Sequence, residues 1–188
     1  WNTSINAGTW TNTAAGVLDT NNRTYNTAGG GALVNNGTWN KSGGGDTTFT
    51  GLPISNTNLC RVNANTLNLN SCSITGAPAS TWQVVSGAFY VRTSNLRGTF
   101  AGNNAGLWRL ENCNFDENST LNITGTAADI NGSMSVSPTK TLTNNGLLQN
   151  INGNNTFTGT ITNNGTFTHA TGWNTEINNG TLTNTGIG

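Results

Sequence analysis

One short phrase returns again and again along this chain, and it restricts the fold more than any other feature. An Asn-rich turn ends in Gly and is followed by Thr, an apolar residue, then Thr or Asn. It reads Asn6-Ala7-Gly8-Thr9-Trp10-Thr11, Asn35-Asn36-Gly37-Thr38-Trp39-Asn40, Asn163-Asn164-Gly165-Thr166-Phe167-Thr168 and Asn178-Asn179-Gly180-Thr181-Leu182-Thr183. A looser copy runs from Leu142 to Leu147. Gly and Asn tolerate the positive φ of tight turns, and Thr suits a pleated, half-buried surface. The apolar residue between two polar ones points inward while its neighbours point out. Copies at Asn144, Asn163 and Asn178 lie 19 and 15 residues apart, near one coil of a few short strands joined by bends. A hairpin-built sandwich also alternates but does not need one phrase to return so often. The expectation is an all-β chain, a parallel β-helix (β-solenoid) with irregular coils of about 15–20 residues, about ten in number, forming one domain over 1–188. Its interior is expected to hold Ile5, Trp10, Trp39, Phe157, Ile161, Phe167 and Leu182. The alternating run Thr156–Thr162 would put Phe157 and Ile161 on one face. The more varied middle, from about Leu52 to Gln149, reads as the same solenoid with wider coils.

Composition narrows the function. Asn (35), Thr (34) and Gly (25) make up half of 188 residues, and only 7% are charged, against roughly 25% in an ordinary soluble domain. Disorder is a poor reading, because three Pro and fourteen aromatics, six of them Trp, invert the usual disordered composition. No window carries a helical apolar stripe free of Gly and Asn. Five Arg and two Lys with zero net charge make no phosphate-tracking groove, so nucleic acid is not an expected partner. No apolar run is long enough for a membrane span. A chain that begins at Trp1 without an initiator Met or signal peptide suggests a processed protein or a piece of a longer one.

The last sixteen residues, Trp173 to Gly188, repeat the first sixteen, Trp1 to Gly16, at eleven positions, so the chain restarts itself after 172 residues. Either it is one unit of a tandem array, or its two ends are alike because they stack in a polymer. Neither end carries Pro, and the only charge in the two segments is Glu176; charges and Pro are the usual means of protecting open strand edges. End-to-end assembly with itself is therefore expected, through Trp1, Ile5 and Trp10 at one end and Trp173, Ile177 and Leu182 at the other.

The stretch Val34-Asn35-Asn36-Gly37-Thr38-Trp39-Asn40-Lys41-Ser42-Gly43-Gly44-Gly45 resembles phrases in large secreted bacterial β-helix proteins, the filamentous-haemagglutinin-like and autotransporter-passenger-like surface adhesins. The resemblance implies a right-handed parallel β-helix, secreted and displayed at the cell surface, with surface glycans as candidate partners. Those families offer no catalytic motif to carry over. A monomeric adhesin or carbohydrate-binding segment of a larger surface protein is the alternative to a fibre.

Chemistry-bearing residues are sparse. His169 is the only histidine, in a bend, with no local orienting carboxylate or oxyanion hole. The densest charge is Arg109, Glu111, Asp116 and Glu117; Arg109 and Glu111 share strand parity, giving either a catalytic pair of the kind lyases and glycosidases use or an exposed ion pair. The expectation is no enzyme and no cofactor or metal. Cys60, Cys72 and Cys113 lack zinc-type spacing; one disulfide with a leftover thiol, pairing unknown, and three small buried fillers are both open. N-x-S/T triplets at Asn36, Asn118, Asn122, Asn164 and Asn179 follow from composition, and inward Asn ladders are an equal use for such residues. Ice binding would need Thr9, Thr158, Thr166 and Thr181 on one flat face.

Overall fold

The computed structural model describes residues 2–27, 30–169 and 174–185, and among them there is no helix. Among the described residues, twenty-three strands form one sheet in which every pairing is parallel. Ala32–Asn35, for example, lies between Thr9–Asn12 and Pro53–Asn56. The chain is thus a β-solenoid of about eight turns, each turn crossing three faces. The first face runs from Asn2–Ile5 up to Thr166–His169, the second from Thr9–Asn12 to Thr175–Ile177, the third from Val17–Asp19 to Thr181–Asn184. In the middle one 19-residue strand, Leu107–Gly125, bends through all three, with register shifts at its corners.

The coil is longer than the phrase spacing suggested. Paired residues are separated by 19 (Ala88 and Leu107) to 24 (Thr24 and Thr48) positions. The reason is that the Asn-Gly phrase serves all three corners. Asn6–Gly8 leads onto the second face, Asn35–Gly37 and Asn178–Gly180 onto the third, and Asn163–Gly165 onto the first. Only the 19-residue spacing from Asn144 to Asn163 is a full coil, and these two residues pair. The 15-residue spacing joins different corners. The middle coils are not wider, since the widest separation is Thr24 to Thr48, near the start. Thr156–Thr162 likewise crosses a corner: Phe157 ends one strand on the second face and Ile161 lies in the next on the third, both facing inward.

Stacking puts like residues above like. Leu33, Ile54, Ile74, Leu96, Phe115 and Val136 form one buried column inside the second face. Aromatics fill the axis: Tyr25 stacks on Phe49 at 4.4 Å, Trp39 meets Phe49 edge-on at 5.1 Å, and Trp82, Phe89, Phe100 and Trp108 form a second cluster. Such offset and edge contacts are the favourable ones for ring quadrupoles. Corners need small residues because coils sit one strand spacing apart. A Cβ on Gly146 would lie 2.1 Å from the Ile123 carbonyl oxygen, and Gly98 combines φ +83° with an equally close Gly76 oxygen. Of the expected interior residues, Trp39, Phe157 and Ile161 are buried, while Ile5, Trp10 and Phe167 are partly buried against the core. Leu182 stands above Ile161 in an inward column yet is 39% exposed, because no described coil covers it.

Candidate functional site

The two ends of the stack are the most distinctive surfaces. Among the described residues, Asn2–Ile5, Thr9–Asn12 and Val17–Asp19 pair on one side only, as do Thr166–His169, Thr175–Ile177 and Thr181–Asn184. At the last coil a hollow of about 250 Å³ opens between Asn163, Phe167, Leu182 and Asn184. Ile177, on the second face of the same coil, is 43% exposed. At the first coil Ile5 and half-buried Trp10 face the end, Trp10 tilted against Tyr25 at 5.7 Å. Trp1 and Trp173, the other two expected interface residues, lie outside the described residues.

Each end also terminates a ladder of inward Asn side chains. Near the start, Asn12 Nδ2 donates to Asn35 Oδ1 at 2.7 Å and Asn35 Nδ2 to Asn56 Oδ1 at 2.6 Å. Near the finish, Asn144 Nδ2 donates to Asn163 Oδ1 and Asn163 Nδ2 to Asn184 Oδ1, both at 2.7 Å. The rungs also donate to the backbone beyond the corner, at Thr38, Leu59 and Thr166 oxygens. Burying an amide costs free energy unless its polar atoms are so satisfied. Both ladders run the same way, amide nitrogen toward the later coil.

The charged patch is dispersed into ion pairs between neighbouring coils. Arg109 and Glu111 do share the outward side of the first face, but Arg109 reaches Asp129 (3.6 Å) and Glu111 reaches Arg92 (3.1 Å). Asp116 takes a two-pronged contact from Arg97, and Glu117 pairs with Lys140 at 2.7 Å. Hydrogen bonding to Arg97 holds the Asp116 carboxyl below its ordinary range; burial pushes Asp129 up, with Arg109 opposing. Tyr90 lies between the Arg92 and Arg109 guanidinium groups, at 4.9 and 5.3 Å. Each carboxylate of the patch is held by a cation of an adjacent coil. Cross-strand pairs this exposed contribute at most about 1 kcal/mol each.

The cysteines are buried thiols with no disulfide. Cys72, Ser94 and Cys113 occupy one corner on three successive coils, so the two cysteines are two coil rises apart, about 9.6 Å and beyond disulfide reach. Their thiols donate instead to carbonyls, Cys72 to Asn70 and Phe49, Cys113 to Val91 and Glu111, just as the Ser94 hydroxyl donates to Arg92 and Leu69. Burial pushes both thiols up to about 11, and raises Cys60 on the third face further still. Cys72 and Cys113 pack one shared corner, and Cys60 lies within a third-face strand.

His169 is exposed on the last coil, Nε2 lying 3.1 Å from Asn150 Nδ2 and 2.9 Å from Thr175 Oγ1. No group of His, Cys, Asp and Glu suited to a metal occurs among the described residues, nor a helix long and apolar enough to cross a membrane. Thr9, Thr166 and Thr181 fall on three different faces and Thr158 at a corner, so they make no single rank. A different set does: Thr99, Thr120, Thr143, Thr162 and Thr183 align on the outside of the third face, flanked by Thr141, Thr160 and Thr181. Sequence spacing concealed this column because the register slips between coils. Lys41 was also unforeseen. Fully buried, it donates to the Gly43 oxygen at 2.7 Å, and burial lowers its pKa against the pull of Asp46 and Asp19.

The fold and its repeating corners define a β-solenoid repeat protein. Compared with known proteins, the chain matches no family model, no curated protein and no solved structure.

Proposed function

We propose that this chain is a structural, extracellular unit that joins further copies of itself end to end into a fibre, filament or sheath. The observation that carries the reading is the open coil at both ends, with Leu182, Ile177, Phe167, Ile5 and Trp10 left partly uncovered. Uncovered strand edges over an apolar core associate unless charges, Pro or a cap prevent it. A contact between unlike ends extends into a filament when it does not close a ring. With only seven acidic and seven basic residues, neighbouring copies repel little. Each acid of the central charged patch is paired with a cation of an adjacent coil. Purified chain is expected to form linear particles that lengthen with concentration, read by sedimentation velocity and electron microscopy. Leu182→Arg should reduce association strongly while lowering the midpoint of unfolding only slightly, since the side chain is 39% exposed in the single chain. A monodisperse monomer at high concentration would overturn the proposal.

The threonine rank supports a second reading, a surface that holds water in an ice-like lattice. Strand geometry spaces such hydroxyls about 4.8 Å between coils and about 6.8 Å along a strand, and β-branching fixes their χ1. Thermal hysteresis that disappears on Thr143→Lys would establish it; freezing behaviour equal to that of an inert protein would dismiss it.

A further inference from the structure

The 172-residue echo does not return to the face where it began. Asn2–Ile5 lies on the first face, but its copy, Thr175–Ile177, lies on the second; Thr9–Asn12 lies on the second, but Thr181–Asn184 lies on the third. Eight turns and one face separate the two. The local conformation is repeated along with the sequence. Ala7 (φ 50°) and Asn179 (φ 57°), equivalent by the 172-residue shift, both hold the left-handed corner before Gly8 and Gly180. Eight non-Gly residues hold a positive φ among the described residues, and these two do so at positions matched by the echo.

The Asn ladders show what the shift accomplishes. Asn12 and Asn184 are equivalent, and each is half of a rung. Asn12 donates upward to Asn35 and to the Thr38 oxygen, with no amide rung beneath it among the described residues. Asn184 accepts from Asn163 beneath it at its Oδ1. Laid on one another, the two halves make a complete rung like Asn35, which accepts from Asn12 and donates to Asn56. The apolar positions agree as well: Leu182 coincides with Trp10 and Ile177 with Ile5, giving each uncovered residue the coil that it lacks.

We propose that residues 174–185 form the opening coil of a second copy of the repeat, turned by one face. The unit is then eight and one-third turns, rising about 40 Å at the ordinary strand spacing, and the first and second ladders become one run through Asn144, Asn163, Asn184 and the next copy's equivalents of Asn35 and Asn56. Successive copies present the strip of ion pairs around Tyr90 in three directions, realigning after every third copy. A second copy stacked without the turn would set Asn184 against the third face, at the Asp19–Thr20 corner, and leave the ladder unjoined.

This inference rests on the end-to-end reading, and its test is independent of whether the single chain self-associates. Two fusions separate the phases. One joins residues 1–184 to residues 13–188 of a second copy, so that Asn184 stands in for Asn12. The other joins 1–188 directly to 1–188. The first is expected to unfold in a single transition, at a midpoint several degrees above that of the single chain and of the second fusion. Asn184→Asp should lower that midpoint strongly in the first fusion and barely in the dilute single chain, where the rung is terminal. Two transitions at the single-chain midpoint, or equal effects of Asn184→Asp in the two contexts, would overturn the one-face turn. A single chain that stays monomeric while the first fusion behaves as expected would overturn the self-association proposed above and leave the one-face turn standing.

Discussion

Trp39→Ala is expected to lower the free energy of unfolding by about 3–5 kcal/mol, the range for truncating a fully buried aromatic. Trp39 is wholly buried, meets Phe49 edge-on at 5.1 Å, and gives its indole N–H to Thr20 Oγ1 at 3.1 Å. Covered on both sides by neighbouring coils, it sits where the cavity cannot collapse without moving backbone, and Thr20, fully buried, loses its indole partner. Against a total stability of about 5–15 kcal/mol for a typical domain, such a change removes a large share. Phe167→Ala, in the same kind of phrase, should cost less than half as much. Phe167 lines the open hollow of the last coil, and water already reaches it. Urea unfolding of both variants, followed by far-ultraviolet circular dichroism, measures the difference. Equal losses would mean that the last coil is covered, and the argument for open ends would go with it.

The contrast between these residues also shows what the sequence discloses. Both sit in Asn-Gly-Thr-aromatic phrases, and the alternation of those phrases alone places both side chains inward. The fold class follows from that alternation and from the frequency of the turn. Coil length does not, because a triangular solenoid uses one corner chemistry three times per turn, and a phrase spacing can measure a coil or part of one. Asn144 to Asn163 measured the first and Asn163 to Asn178 the second. The same ambiguity hid the threonine column and the one-face turn of the echo, since face is a three-dimensional property that accumulates corner by corner. Ion pairing was half legible: shared parity put Arg109 and Glu111 on one side, but their partners Asp129 and Arg92 come from neighbouring coils some twenty residues away. Buried Lys41 carries no sequence signal, as its long stem reads like any exposed lysine in a polar loop.

Asn35→Asp, an isosteric change, should be strongly damaging and should make stability depend on pH. Asn35 is fully buried; its Oδ1 accepts from Asn12, and its Nδ2 donates to Asn56 Oδ1 and to the Leu59 oxygen. A carboxylate keeps the first bond but turns its second oxygen toward two acceptors, leaving a buried charge without a cation. Creating such an uncompensated charge typically costs about 3–5 kcal/mol. Burial and the two facing oxygens raise the new carboxyl's pKa in the folded state above its unfolded value of about 3.9. The sign follows: below the unfolded value the group is neutral in both states and the charge penalty vanishes. The penalty grows as pH rises and reaches its full size above the raised folded value. Protonated, the side chain can also donate once, restoring part of the rung. Asn35→Leu is the control, because it breaks the ladder without adding a titrating group and leaves polar neighbours unpaired at about 1–3 kcal/mol. Denaturation of the two variants between pH 4 and pH 8, each referred to the parent chain at the same pH, should therefore show the Asp deficit shrinking toward acid and the Leu deficit staying level. An Asp variant as stable as the parent at neutral pH would mean that water reaches Asn35, and that the ladder is no part of the core.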